Sequence, residues 1–279
     1  MKRFKIAVFA GIVFMLAALF MYVFRLGGEP SVNLFGNIVS VLAGLAAFLA
    51  LSWLLLSLRH LESTQKPKKW FFLALGMLFF FLGELTWMIY DVVLGLDPYP
   101  SIADAFWLIG FVPLIIGLVV AIRETKVSLW SSKTPLLAVI AAAVAGIFVV
   151  YLLRPILAET EISLAEKVID FAYPLLDLVL IVLTATILVF YQKGLLGKPW
   201  MFVLSGFVLM AVGDGLFSYF TWIKVYNLPY YDLIDLFWLA GYEAIALSAF
   251  YKKAILDTYL EPEEEPQVAE RRVPAGHIA

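Results

Sequence analysis

The chain has 279 residues, of which 63% are hydrophobic and 15% are charged, with a formal net charge of −2 and a mean hydropathy of +0.94. Soluble domains are about half apolar, so this composition excludes an ordinary soluble enzyme and indicates a chain that faces lipid. The chain has no cysteine and only two histidines, which excludes thiolate chemistry and leaves no basis for a metal site.

Eight apolar segments are long enough to cross a bilayer, which needs about 20 mostly apolar residues. We predict membrane-spanning helices at 6–24, 34–58, 70–94, 102–122, 135–153, 168–191, 199–223 and 233–251. A soluble catalytic domain takes roughly 100 residues or more, and the connections between the segments are too short to hold one. The fold class predicted is therefore all-α, a polytopic membrane protein whose function lies in or at the membrane.

The distribution of basic residues predicts the orientation. Sixteen of the 20 Lys and Arg residues lie on the side of the N-terminus and four on the other side. Positive residues are enriched in cytoplasmic loops, so we expect both termini in the cytoplasm and the protein in the cell membrane.

The sequence repeats itself after about 130 residues. The pattern of Trp70, Gly83 and Glu84 recurs as Trp200, Gly213 and Asp214. A second shared pattern is Pro98, Tyr99, Asp104, Trp107 and Gly110, which recurs as Pro229, Tyr230, Asp235, Trp238 and Gly241, and Tyr22 and Arg25 match Tyr151 and Arg154. We predict two tandem four-helix repeats of one topology, at 1–133 and 134–253, followed by a disordered acidic tail at 254–279.

Carboxylates inside the predicted spans are the strongest local signal, because a charged group near the bilayer centre costs about 2.5–3.5 kcal/mol on insertion scales. They recur at helical spacing beside aromatic residues, and no Lys or Arg lies deep in any span. We expect an outward-opening pocket shared by both repeats. The candidate ligand-binding residues are Glu84, Trp87, Asp91, Asp104, Trp107, Tyr173, Asp177, Asp214, Asp235, Trp238, Tyr242 and Glu243.

Structural roles compete with this hypothesis. The spacing of Ser101 with Asp104, and of Asp232 with Asp235, is that of a capping box, so both carboxylates can simply begin helices. Embedded acids also serve as polar contacts between helices. Trp53, Trp70, Trp130 and Trp200 lie near predicted helix ends and are expected in the interfacial aromatic belt.

Three segments taken together carry a family resemblance. They begin at Asp97, Phe171 and Asp235 and read DPYPSIADAFWLIG, FAYPLLD and DLFWLAGY. This set resembles the multi-span N-terminal sensory region of bacterial diguanylate cyclases, phosphodiesterases and histidine kinases. The resemblance implies a membrane sensory module, here with a short acidic segment where those proteins continue into an output domain.

The functional hypotheses are three. The first is a non-enzymatic sensory protein that binds a small molecule or cation and signals to a cytoplasmic or membrane partner. The second is a proton- or cation-coupled transporter, and the third a lipid hydrolase, since the Gly–acid pairs at Glu84 and Asp214 resemble eight-span lysoplasmalogenase-like enzymes. No catalytic residue or cofactor is identified, and the basic loops give no reason to expect nucleic-acid binding.

Overall fold

A computed structural model describes residues 1–59, 67–124, 146, 150, 163–190, 197–222 and 231–260. These residues form seven α-helices and no strand. The helices are α1 (Lys2–Phe24), α2 (Glu29–Arg59), α3 (Lys68–Met88), α4 (Ile102–Glu124), α5 (Leu164–Phe190), α6 (Lys198–Trp222) and α7 (Asp235–Leu260). A π-helical turn, Ile89–Val93, extends α3, and a 3₁₀ turn, Tyr231–Ile234, precedes α7.

All seven helices are long and apolar enough to cross a membrane. They correspond to seven of the eight predicted spans. The remaining one, 135–153, lies outside the described residues apart from positions 146 and 150. The predicted start of the tail at residue 254 is too early, because α7 continues to Leu260.

Six consecutive helices form a closed ring. Each of α2 to α6 packs against the next helix in the chain, α6 packs against α7, and α7 returns to pack against α2. Helix α1 lies outside this ring against α7. In such a ring the opposite pairs are α2 with α5, α3 with α6, and α4 with α7.

Close helix packing is made possible by glycines of the α3–α4 and α6–α7 pairs. A Cβ added to Gly76 would lie 3.1 Å from the carbonyl oxygen of Gly110, and one added to Gly206 would lie 2.9 Å from that of Gly241. Small residues of this kind let the backbones of membrane helices approach closely. The pairs α3–α4 and α6–α7 therefore pack in the same way.

Trp70 and Trp200 do not lie in an aromatic belt. Their side chains are 2% and 3% exposed, and their rings stack with centroids 5.3 Å apart and planes 19° apart. Because α3 and α6 are opposite members of the ring, this stack fills the ring interior at the end where both helices begin. The belt prediction is wrong for these two residues, and the Trp130 position lies outside the described residues.

Candidate functional site

The ring of helices encloses a cavity of about 260 Å³ in the half away from the Trp70–Trp200 stack. All six ring helices contribute to its wall. Ten of the twelve predicted site residues line it, namely Glu84, Trp87, Asp91, Asp104, Trp107, Tyr173, Asp214, Asp235, Trp238 and Tyr242. Residues that are far apart in the sequence are thus brought to one place by the packing of the helices.

Glu84 of α3 lies in the cavity wall and forms a hydrogen bond with a residue of α7. The Tyr242 hydroxyl of α7 donates a hydrogen bond of 2.6 Å to its Oε1. The Trp107 indole lies against Gly83, beside the same carboxylate. A larger residue than glycine at position 83 would displace this ring, since an added Cβ would lie 2.4 Å from Trp107 Nε1.

Asp214 occupies the matching place on α6. Trp238 lies against Gly213, and its Nε1 donates a hydrogen bond of 2.6 Å to Asp214 Oδ1. The carboxyl groups of Asp214 and Asp177 are also in hydrogen-bonding contact. This contact joins α5 to α6.

Asp104 combines a capping role with a place on the cavity wall. Its Oδ2 accepts a bond of 2.7 Å from the backbone N–H of Ser101, and the Ser101 Oγ accepts one of 3.1 Å from Ala103 N–H. This is the predicted capping arrangement at the start of α4. The other oxygen of Asp104 accepts a bond of 2.9 Å from the Tyr173 hydroxyl of α5, so the same carboxylate joins two ring helices.

Asp235 and Asp232 bond to α1 instead of forming the matching cap. The Tyr22 hydroxyl donates to Asp235 Oδ2 at 2.9 Å, and Arg25 Nη1 lies 2.8 Å from Asp232 Oδ2. Arg25 also pairs with Glu29. The hydrogen bond that Arg25 donates to Asp232 is the main cause that raises the pKa of Arg25 above its usual value.

Asp91 lies in the π-helical turn that extends α3. Its Oδ2 accepts a bond of 2.8 Å from the side-chain amide of Asn37 on α2. The same amide nitrogen donates to both oxygens of Asn33, whereas the Asn37 side-chain oxygen is buried with no hydrogen-bond partner. Asn37 lines the cavity, so this oxygen is an unused acceptor in its wall.

Thirteen residues that line the cavity were not among the predicted site residues, and they include Asn37, Tyr99 and Phe217. The Tyr99 hydroxyl, in the connection between α3 and α4, bonds to Asp170 of α5. Burial, followed by the negative charge of Asp170, raises the pKa of Tyr99 above its usual value. A signal for Asn37 was available, since it is an amide within a long apolar segment.

Aromatic rings form a continuous part of the wall. Trp87 lies 5.7 Å from Trp107 and 6.3 Å from Phe217, measured between ring centroids. Phe217 in turn lies 6.1 Å from Trp238 and 5.6 Å from Tyr99. The rings are tilted or edge-to-face, so several ring faces remain available to the cavity.

Two predicted site residues do not line the cavity. Asp177 is 3% exposed and lies behind the wall, in contact with Asp214. Glu243 packs directly over Gly11 of α1, on the outer side of the ring. The prediction that Glu243 lines the pocket is wrong, because successive residues of a helix point about 100° apart and Tyr242 already faces inward.

The wall is acidic. Seven carboxyl groups line the cavity, and no Lys, Arg or His is found among the described residues that do so. In the described part of the chain, no group of three or more acids or histidines is arranged to hold a metal ion. No family model, curated protein or solved structure matches this chain.

Proposed function

We propose that this chain is a non-enzymatic membrane receptor that binds a small ligand in the cavity at the centre of its helical ring. The observation that supports this most directly is the convergence of six helices on one acidic, aromatic cavity of about 260 Å³. Polar contacts with a purely structural role need only pairs of side chains, whereas here the pairs line a shared cavity. Pockets of this kind, mostly apolar with a few convergent polar groups, are typical ligand sites.

The proposed architecture is eight spans in two tandem repeats, with both termini cytoplasmic. The packing of the described helices supports it, because the predicted repeat partners α2 and α5, α3 and α6, and α4 and α7 are opposite members of the ring. The paired contacts of Trp107 with Gly83 and Trp238 with Gly213 also follow one pattern. An axis along the membrane normal through the ring would relate the halves.

A ligand bound in this cavity would touch all six ring helices, and this contact is the basis for the proposed sensory role. Any change in helix packing on binding would reach the far end of α3 and α6, where Trp70 and Trp200 stack. The connections at that end are the predicted cytoplasmic loops, which could present the ligand-bound state to a signalling partner.

The test of ligand binding uses a substitution that fills the cavity without removing an acid. Ser40 lines the cavity from α2, so Ser40→Trp should occupy ligand space. Ser205→Trp on the exposed face of α6 is the matched control. The thermal unfolding of the purified protein is measured in the presence of small amines, alcohols and carboxylates, one at a time. A ligand at 100 times its Kd should stabilise by about 2.7 kcal/mol.

We expect at least one solute to stabilise the wild type and the Ser205→Trp variant, but not Ser40→Trp. If no solute stabilises the wild type, or if Ser40→Trp responds equally, the proposed ligand site is refuted. A solute that binds is then tested for flux across proteoliposomes, which separates a receptor from a carrier.

A proton- or cation-coupled transporter is the second candidate. The Trp70–Trp200 stack supports it, because the two rings lie between the cavity and the ends of α3 and α6 and so could act as a gate. Replacing both with alanine should then create a leak of the bound solute. Receptor function predicts no flux in the wild type under any proton or cation gradient.

A carboxylate-dependent lipid hydrolase is the third candidate. The contact between Asp177 and Asp214 supplies the paired acids that such an enzyme needs. Only Asp214 of this pair lines the cavity, which leaves Asp177 away from any substrate bound there. Turnover of a lipid that is lost in Asp177→Asn would favour this candidate over the receptor.

A further inference from the structure

We infer that the ligand is a small organic cation that carries N–H groups, a primary ammonium or a guanidinium, with its charged end at Asp91 and Asn37. This inference rests on the proposed function, since it assigns a chemical class to the ligand of the same cavity. Four features of the wall support it: its hydrogen-bonding balance, its aromatic faces, its charge and its volume.

Six hydrogen-bond donors around the cavity donate to its carboxylates. The bonds are Tyr242 to Glu84, Trp238 to Asp214, Tyr173 to Asp104, Tyr22 to Asp235, Asn37 to Asp91 and Tyr99 to Asp170. An ionised carboxylate offers about four acceptor positions, so one or two bonds leave further acceptor positions unused. These acceptors suit a ligand that supplies donors.

The Asn37 oxygen is an independent sign of the same requirement. Asn37 is 8% exposed and lines the cavity, and its side-chain oxygen has no hydrogen-bond partner. The three acceptors around its nitrogen, two on Asn33 and one on Asp91, fix the orientation of the amide. A buried acceptor without a partner is unfavourable, and a ligand N–H at this position would satisfy it.

The aromatic faces favour a cation over a neutral donor. Trp87 is one helical turn from Asp91 on α3, and it lies between Trp107 and Phe217. Ring faces carry negative electrostatic potential and attract ammonium or guanidinium groups, with Trp the most effective. A cation at Asp91 and Asn37 would therefore have ring faces next to it as well as acceptors.

Charge and volume exclude other classes. An anion would face seven carboxyl groups without a basic partner among the described wall residues. The described acids are spread around the wall and do not form a metal-binding cluster. A cavity of about 260 Å³ holds the volume of roughly nine waters at about 30 Å³ each, which suits a small organic molecule.

The test compares ligands of matched size and different charge. Methylguanidine, cyclohexylamine and 2-phenylethylamine are each measured against a neutral alcohol and a carboxylate of similar size, at neutral pH, by thermal stabilisation and by calorimetry. A trimethylated form of 2-phenylethylamine keeps the charge but has no N–H. We expect a guanidinium or primary ammonium to bind at least about tenfold more tightly than its alcohol, carboxylate or trimethylated partner.

Substitutions locate the charged end. Asp91→Asn and Asn37→Leu should each weaken cation binding by about tenfold or more. Glu243→Gln is the matched control, because it removes a carboxylate from the same membrane region outside the cavity wall. This control should bind as tightly as the wild type.

The outcomes separate the two proposals. If an alcohol or carboxylate binds best and Ser40→Trp abolishes its binding, the cationic class is overturned and the receptor proposal stands. If no solute of any charge binds, both fail. Cation binding that is unchanged in Asp91→Asn and Asn37→Leu, or equal in the trimethylated form, overturns the assigned position and the need for N–H groups.

Discussion

The hydrogen bond between Tyr242 of α7 and Glu84 of α3 offers a direct test of the packing around the cavity. Tyr242→Phe removes only the hydroxyl, and the ring remains in place against Phe80, with centroids 6.4 Å apart. The lost bond is 2.6 Å long, and Tyr242 is 2% exposed. Glu84→Met removes the acceptor at similar volume, and the double variant completes a double-mutant cycle.

We expect a coupling free energy of about 1–2 kcal/mol. Hydrogen bonds to charged groups in soluble proteins contribute about 1.5–3 kcal/mol. Interhelical bonds measured in membrane proteins are weaker, about 0.6 kcal/mol on average and up to about 1.7, because the unfolded helices find other partners in the membrane. A short bond to a buried carboxylate should lie at the upper end of that membrane range.

The assay is reversible unfolding in mixed micelles, followed by circular dichroism. Tyr251→Phe is the control, since its ring packs against Phe4 at 4.9 Å and Phe202 at 5.8 Å near the end of α7. Independent sites add within about 0.3–0.5 kcal/mol. A coupling free energy below about 0.3–0.5 kcal/mol would refute the contact between α3 and α7 across the ring.

Two further predictions concern packing and pH. Gly206→Ala would bring a Cβ to 2.9 Å from the Gly241 carbonyl oxygen, so we expect about 1–3 kcal/mol of destabilisation in the same unfolding assay. Gly146→Ala is the control, because a Cβ added at Gly146 meets nothing within 4 Å and should leave the stability almost unchanged. A destabilised Gly146→Ala with an unaffected Gly206→Ala would contradict the α6–α7 packing. The raised pKa of Tyr99 means that its unfolded form loses the hydroxyl proton first, so its contribution to stability is full below about pH 10 and decreases above it. Tyr99→Phe should therefore be less stable than the wild type at pH 8 and lose less stability between pH 9 and 11; parallel pH curves would show that Tyr99 is not buried against Asp170.

Hydropathy predicted the existence of the helices better than their ends. The last predicted span stops at residue 251, yet α7 runs to Leu260. Lys252 and Lys253 end the apolar segment, but the helix continues as long as its backbone hydrogen bonds continue. The Lys253 side chain pairs one turn on with Asp257, which supports the extra turns.

A site residue could be predicted where a carboxylate lies in an apolar span, because such a residue is costly to insert into the membrane. It could not be predicted where only the packing of the helices brings the residue to the cavity. Glu84, Asp91 and Asp214 were found because a carboxylate in a span needs an explanation. Tyr99 lies in a connection, and an uncharged residue there gives no such signal. Trp70 was misplaced because a tryptophan near a helix end can face lipid headgroups or the ring interior, and only the position of α6 decides between them.

The receptor proposal requires a water-accessible, negatively charged cavity inside the ring. The chain has no cysteine, so a single Ser40→Cys variant can be modified without a background reaction. We measure its reaction rates with a positively charged thiosulfonate reagent and with a negatively charged one of similar size. Ser163→Cys, at an exposed position just before α5 and outside the predicted spans, is the control. The cationic reagent should modify Ser40→Cys at least about tenfold faster than the anionic one, with no such preference in the control. Failure of both reagents to reach Ser40→Cys, or equal rates with the two, would contradict the account.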